Sequence, residues 1–244
     1  MTAEPRVVVH PTKQILADAA AARLVGAIVD AQAERGVAHV ALTGGSMGSA
    51  IIASLAAVPG RLAIDPDRLH VWWGDERYLP AGDDDRNDTQ NDAAGLASLG
   101  LDPAKVHRVL GPDQSGSAEE SARAYSDALH AAGTGLFDVM VLGVGPDGHV
   151  ASLFPNHPTA REVGSPAVAV HDSPKPPATR VSLTRECLER SREVWFLVSG
   201  ADKADAVRRG VTGAPFETTP AAHVHGVDRT LWLVDTDAAA DLER

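Results

Sequence analysis

Two hydrophobic rhythms alternate along the chain. Short apolar runs rich in β-branched residues occupy 6–10, 37–42, 69–73, 138–142, 167–170, 180–183, 194–198 and 230–234, and each reads as a strand. Between them lie stretches with helical spacing. The longest, 12–35, is Ala-rich, starts at a Thr12 cap and stops at Gly36. Others are 46–57, closed by Pro59-Gly60, then 88–99, 117–132 and 202–209. Strands alternating with helices predict an α/β fold, a mainly parallel sheet with helices on both faces. No internal repeat or low-complexity linker interrupts the pattern. The 244 residues are read as a single α/β domain over 1–244, large enough to bury a substantial core. Three Pro/Gly-rich pieces, 80–87, 165–177 and 210–220, read as excursions over one edge, where function often resides.

Composition narrows the classes. A hydrophobic fraction of 44% and a charged fraction of 23% are those of an ordinary soluble globular protein. The net charge of -11 argues against a nucleic-acid partner, yet a few Arg and Lys can still build a local site for a small anion. The lone cysteine, Cys187, has no internal disulfide partner and lies in a helical setting, so it reads as a buried, inert thiol. No signal-peptide pattern opens the chain and no run reaches membrane-span length. The expectation is a cytoplasmic protein with no membrane partner. Nothing in the sequence gives an oligomeric state.

The chemistry gathers after three core strands. The run Phe137-Asp138-Val139-Met140-Val141-Leu142 ends in Gly143, Gly145 and Gly148, among which sit Asp147 and His149. Open α/β sheets keep their ligands at such strand ends. The segment also matches the dinucleotide pattern G-x-G-x-x-G, but Pro155 leaves room for little more than one helical turn. No clear strand brings an acid to the ribose position, since Glu162 lies in a Pro- and Gly-punctuated stretch. NAD is therefore excluded. A second loop, Thr43-Gly44-Gly45-Ser46, follows a strand and leads into a helix that Ser46 can cap. It is either a phosphate cradle at a positive helix end or a tight turn with an ordinary cap, and it lacks the Lys of a P-loop. The third, Trp72-Trp73-Gly74-Asp75-Glu76-Arg77, releases two acids and an arginine from an aromatic strand. The following 83–88 reads as a solvated turn and helix cap without calcium-loop spacing. Arg180 and Lys203 are further cations at element ends, Lys203 the stronger candidate for a strand-end phosphate. No histidine pair has zinc spacing, so no metal is expected, and no G-x-S-x-G elbow marks a serine hydrolase.

Together, Thr43-Gly44-Gly45-Ser46, Gly74-Asp75-Glu76-Arg77, Gly143-x-Gly145-x-Asp147-Gly148-His149-x-Ala151-Ser152-Leu153-Phe154-Pro155 and Val198-Ser199-Gly200-x-x-Lys203 closely resemble the 6-phosphogluconolactonase family, in order and spacing, over nearly the whole chain. The resemblance implies a Rossmann-like sheet and cofactor-free hydrolysis of 6-phospho-D-glucono-1,5-lactone to 6-phosphogluconate in the oxidative pentose phosphate pathway. It also implies phosphate bound by Thr43, Gly44, Gly45, Ser46, Lys203 and Arg180. His149 is then general base and acid, oriented by Asp147 or Asp75, with Arg77 on the carbonyl oxygen. Which cation holds phosphate and which the carbonyl stays open. Glucosamine-6-phosphate deaminase shares the fold. It carries Met-Asp-Glu-Tyr where this chain has Gly74-Asp75-Glu76-Arg77, and Glu where this chain has Phe154.

Overall fold

A computed structural model describes residues 4–242. Six strands form one parallel sheet: β1 (Arg6–His10), β2 (Ala38–Leu42), β3 (Leu69–Trp73), β5 (Phe137–Leu142), β8 (Ser191–Val198) and β9 (Arg229–Asp235). Their order across the sheet is β1-β9-β8-β5-β2-β3. From β2 the chain moves outward to β3, whereas from β5 it moves the other way, to β8 and β9. The strand order therefore reverses between β2 and β5, which opens a crevice beyond their C-terminal ends.

Period-2 alternation sends each strand's side chains to two separate cores. Val139, Val141, Trp73, Trp195 and Leu197 pack under α1 (Lys13–Arg35) and α2 (Gly45–Ala57). Met140, Leu142, Trp72, Phe196 and Trp232 face α4 (Ala118–Ala131), α5 (Arg185–Glu189) and α6 (Ala204–Val211). All six residues of β5 are buried, which explains a run that is apolar except for Asp138, whose carboxylate accepts from Arg35 Nε and the His39 N–H. The expected caps are present. Thr12 Oγ1 accepts the Ile15 N–H at 3.3 Å, Gly36 closes α1 in the left-handed region (φ 78°), and Ser117 caps α4. Cys187 is buried in α5, and its burial pushes the thiol up to about 12.

Three features differ from the sequence reading. The helix expected over 88–99 is α3 (Asn87–Ala93), followed by a separate 3-10 turn, Leu96–Leu99, because Gly95 lies at φ 120° and breaks the ladder. The one expected over 202–209 opens as a 3-10 turn, Ala201–Lys203, before α6. A second, antiparallel sheet, β4-β7-β6, is built from β4 (Asp75–Arg77), β6 (Ala167–Val170) and β7 (Arg180–Leu183). Gly74 joins the two sheets. Its N–H donates to Leu42 O at 3.1 Å in the large one, and its carbonyl accepts the Leu183 N–H at 2.9 Å beside the small one. No described helix is long and apolar enough to cross a membrane.

At the opposite end of the sheet from the crevice, His39 of β2 stacks on His70 of β3 with ring centroids 4.5 Å apart. His70 Nδ1 lies 2.9 Å from His107 Nε2, and His107 stacks on Trp72 at 3.6 Å. Burial, then the neighbouring imidazoles, hold His39 and His107 down to about 4, and burial and Lys105 lower His70, opposed by Asp102. The unfolded chain takes up these protons first, so their stabilisation is complete above the unfolded value and is lost as pH falls from about 6.5 towards 4. We expect unfolding free energy to fall by about 3 kcal/mol over that window, a Tm decrease of roughly 6–12 °C. His107→Phe keeps an aromatic ring on Trp72 without a titrating nitrogen and should flatten the decline. Thermal melts from pH 7.5 to 4.5 check this, and equal slopes in both proteins would refute it.

Candidate active site

A cleft of about 270 Å³ opens in the crevice beyond β2 and β5. Loops after β2 bring Thr43, Gly44, Gly45 and Ser46, β4 brings Asp75 and Arg77, and the loop after β5 brings His149. Arg180 enters from β7 and Lys203 from the turn after β8. Of the ten residues named from the sequence as catalytic or phosphate-binding, nine line the cleft, and Asp147 reaches it through His149.

The turn after β5 is closed by Gly148 N–H to Gly145 O at 2.9 Å and Gly145 N–H to His149 O at 3.0 Å. This folds the imidazole back over Gly145, where any Cβ would overlap the ring. Nδ1 of His149 lies 2.5 Å from Asp147 Oδ1, which leaves Nε2 for the cleft. Phe154 packs against the ring at 4.6 Å between centroids. Burial works to raise Asp147, but the His149 hydrogen bond and Lys175 outweigh it and hold the carboxyl well below the usual carboxylate range. Asp75 does not touch the imidazole. Its Oδ2 accepts from Ser152 Oγ at 2.6 Å and lies 3.8 Å from Arg180 Nη1.

The Ser46 cap expected from the sequence is not formed. Gly44 is the N-cap residue of α2 and makes no side-chain cap bond, because the helix starts one residue earlier, at Gly45. A Cβ on Gly44 would overlap the Asn87 amide, so glycine is what lets these loops meet. Gln90 Oε1 accepts the Gly45 N–H at 3.0 Å. Ser46 and Met47, next in this first turn, line the cleft, and helix geometry gives their N–H groups no partner within the helix. Lys203 stands across the cleft, 3.6 Å from Asp202.

Arg180 is 6% exposed, and its guanidinium is spent on backbone: Nε donates to Pro177 O at 3.2 Å, and Nη2 donates to Lys175 O and Pro176 O, both at 3.1 Å. Arg77 Nη1 donates to Asp85 O at 2.5 Å, whereas its buried Nε has no partner among the described residues. Glu76 lies beneath it and accepts the N–H groups of Arg77, Asn87 and Asp88 at 2.7–2.9 Å. Burial, and then the Asp88 charge, push Glu76 up to about 8 against Arg86. Arg86 holds Asp88 with two bonds, at 2.9 and 3.0 Å. The 83–88 segment is thus only partly the solvated turn expected. Arg86, Asn87 and Asp88 are buried, and they staple the segment beneath β4.

Sequence reasoning missed Lys175 and Asn87. Lys175 Nζ lies 3.2 Å from Asp147 Oδ1 and 3.3 Å from His149 Nδ1. Its only signal was a lysine in the Pro-rich excursion just before Arg180. Among the described residues, no group of three or more His, Cys, Asp or Glu is placed to hold a metal ion.

Residues 11–232 match the family model described as glucosamine-6-phosphate isomerases/6-phosphogluconolactonase. The chain belongs to this family. Among relatives, a 6-phosphogluconolactonase of Streptomyces coelicolor is 50% identical, with 100% of this chain and 97% of that protein covered. A solved structure of 6-phosphogluconolactonase from Trypanosoma brucei superposes with TM-score 0.85 at 26% identity, over 98% of this chain and 99% of that one. A monomeric glucosamine-6-phosphate deaminase also superposes, with TM-score 0.81 at 20% identity over 97% of this chain and 99% of that one, and this likeness shows the fold alone. The α/β fold with a mainly parallel sheet, read from the sequence, is thereby confirmed.

Because a methyl on Gly145 must displace His149, Gly145→Ala is expected to lower kcat at least about a hundredfold while the protein still folds. Steady-state kinetics beside circular dichroism decide this. A folded variant of near-normal kcat would show that the imidazole need not occupy this position.

Proposed function

We propose that the protein hydrolyses 6-phospho-D-glucono-1,5-lactone to 6-phosphogluconate, with His149 as general base and then general acid. The observation that carries this reading is the His149–Asp147 pair, with Nε2 free in a cleft whose other walls carry cations and a helix start. The phosphate sits against the first turn of α2 at Ser46, with Lys203 supplying the opposing charge. Arg180, committed to loop carbonyls, contributes from behind rather than as a free clamp.

Water then attacks C1 of the lactone. Its oxygen forms the new C–O bond, its proton passes to Nε2, and the carbonyl electron pair moves onto oxygen. Asp147 stabilises the imidazolium on Nδ1. Arg77 lies on the cleft wall, and its guanidinium charge suits the developing oxyanion. When the carbonyl re-forms, the C1–ring oxygen bond breaks and Nε2 returns its proton to the leaving oxygen. No cofactor is required for these steps. The deaminase reading is disfavoured by Phe154, which is fully buried and packs on the imidazole where that enzyme carries an acid.

The lactone is generated in situ by enzymatic oxidation of glucose 6-phosphate at slightly acidic pH, which slows its spontaneous opening. Rapid decay is expected with wild type. The rate should fall at least about a hundredfold in His149→Ala, and KM should rise roughly tenfold in Lys203→Ala. Ammonia release from glucosamine 6-phosphate without lactone decay would move the assignment to the deaminase.

A further inference from the structure

We propose that Lys175 is a positioning residue of this site, an ammonium seated on the Asp147 oxygen that holds the imidazole, where its charge keeps His149 free to accept a proton. The kinetic part of this inference rests on the lactone-hydrolysing reading of the cleft, whereas the electrostatic part does not.

The geometry is a triangle. Asp147 Oδ1 is 2.5 Å from His149 Nδ1 and 3.2 Å from Lys175 Nζ, and the two nitrogens are 3.3 Å apart. Both nitrogens donate to the one oxygen, so the third side of the triangle is a close approach of two donors and not a hydrogen bond. A carboxylate alone would favour the imidazolium and so hold the base in its spent form as pH falls. The ammonium, 3.3 Å from the same nitrogen, opposes that bias. It leaves the carboxylate charged, able to fix the ring, without letting it lock a proton on Nε2.

This placement is built from below. Arg180 binds the carbonyls of Lys175, Pro176 and Pro177, and Ser173 Oγ both donates to Lys175 O at 2.8 Å and accepts its N–H at 3.3 Å. The backbone on either side of Lys175 is thereby held, which accounts for a buried arginine whose donors point at a loop. Other charged groups bear on the imidazole from further away. Arg180 Cζ lies over the Phe154 ring, 5.5 Å from its centroid, and Asp75, Arg77 and Lys203 line the cleft. Arg209 donates to the Asp147 carbonyl at 3.4 Å. None of these changes when Lys175 alone is replaced.

The test compares wild type, Lys175→Met and Lys175→Arg by two readouts. One is the pH titration of the His149 imidazole C–H resonances, assigned with His149→Ala. The other is the pH dependence of kcat/KM for the lactone. In Lys175→Met both the resonance midpoint and the acid limb should move up by about one pH unit, roughly a tenfold rate loss at a fixed pH below the limb. Lys175→Arg should restore both. KM at the pH optimum should change by less than about threefold, since the ammonium acts through Asp147 and not on substrate. A midpoint that stays in place overturns the proposal. So does a large rise in KM with an unmoved limb, which would make Lys175 a substrate ligand. Should Lys175→Met fail to fold, Lys175→Gln carries the same comparison. If wild type does not hydrolyse the lactone and the midpoint still moves, the reaction assignment fails and the role of Lys175 stands. Hydrolysis with an unmoved midpoint gives the reverse.

Discussion

Everything in the site depends on the parallel pairing of β2 with β5, where the strand order changes direction. Neighbouring strands there send their following loops to opposite faces, and the gap between those loops is the only place along the edge where two loops can face one another without a helix between them. The first turn of α2 and the imidazole turn come from these two strands. Their separation is fixed by main-chain hydrogen bonds, in a strand pair whose members are buried throughout. The sheet supplies the rigid frame on which catalytic groups must be held to fractions of an ångström.

Upon that frame the small antiparallel sheet adds the charged groups. Asp75 and Arg77 stand on β4 and Arg180 on β7, paired in register across the two strands. The charges are layered. Glu76, Arg86 and Asp88 lie buried beneath β4 and hold the segment that carries Asn87. Arg180 lies beneath the Pro-rich loop and holds Lys175. Glu76, Arg86 and Asp88 are spent on internal bonds and do not line the cleft, whereas Arg180 both holds the loop and lines the cleft. Groups in the upper layer keep an open donor or acceptor. A buried ionic cluster of this kind adds little net stability and acts chiefly to fix geometry.

The sequence was most legible where local chemistry decides the outcome. β5 declared itself by the apolar run Val139–Leu142, α1 by Thr12 and Gly36, and the imidazole turn by glycines around Asp147 and His149. It was least legible where the outcome is set by distant partners. β4 is three residues long, and only pairing with β7 makes it a strand. Nothing local marks Lys175 either, because the group that places it is an arginine five residues on, acting through three carbonyls. Choosing between Asp75 and Asp147 failed for a related reason. A two-residue separation reaches the imidazole only because the turn at Gly145 doubles back, and composition does not reveal that fold.

Gly74 has a consequence for how the protein reaches its working form. A single residue donates to one sheet and accepts from beside the other, and the small sheet closes only when segments more than a hundred residues apart in sequence have met, as Asp75 does with Ser182. Such closure is slow to reward the loop entropy it demands. The large sheet carries the same burden, since β1 meets β9 across more than two hundred residues, so neither sheet is complete before distant parts of the chain have met. Any parting of the two sheets separates Asp75, Arg77 and Arg180 from the imidazole turn. Activity in this molecule is a property of the seam between its two sheets.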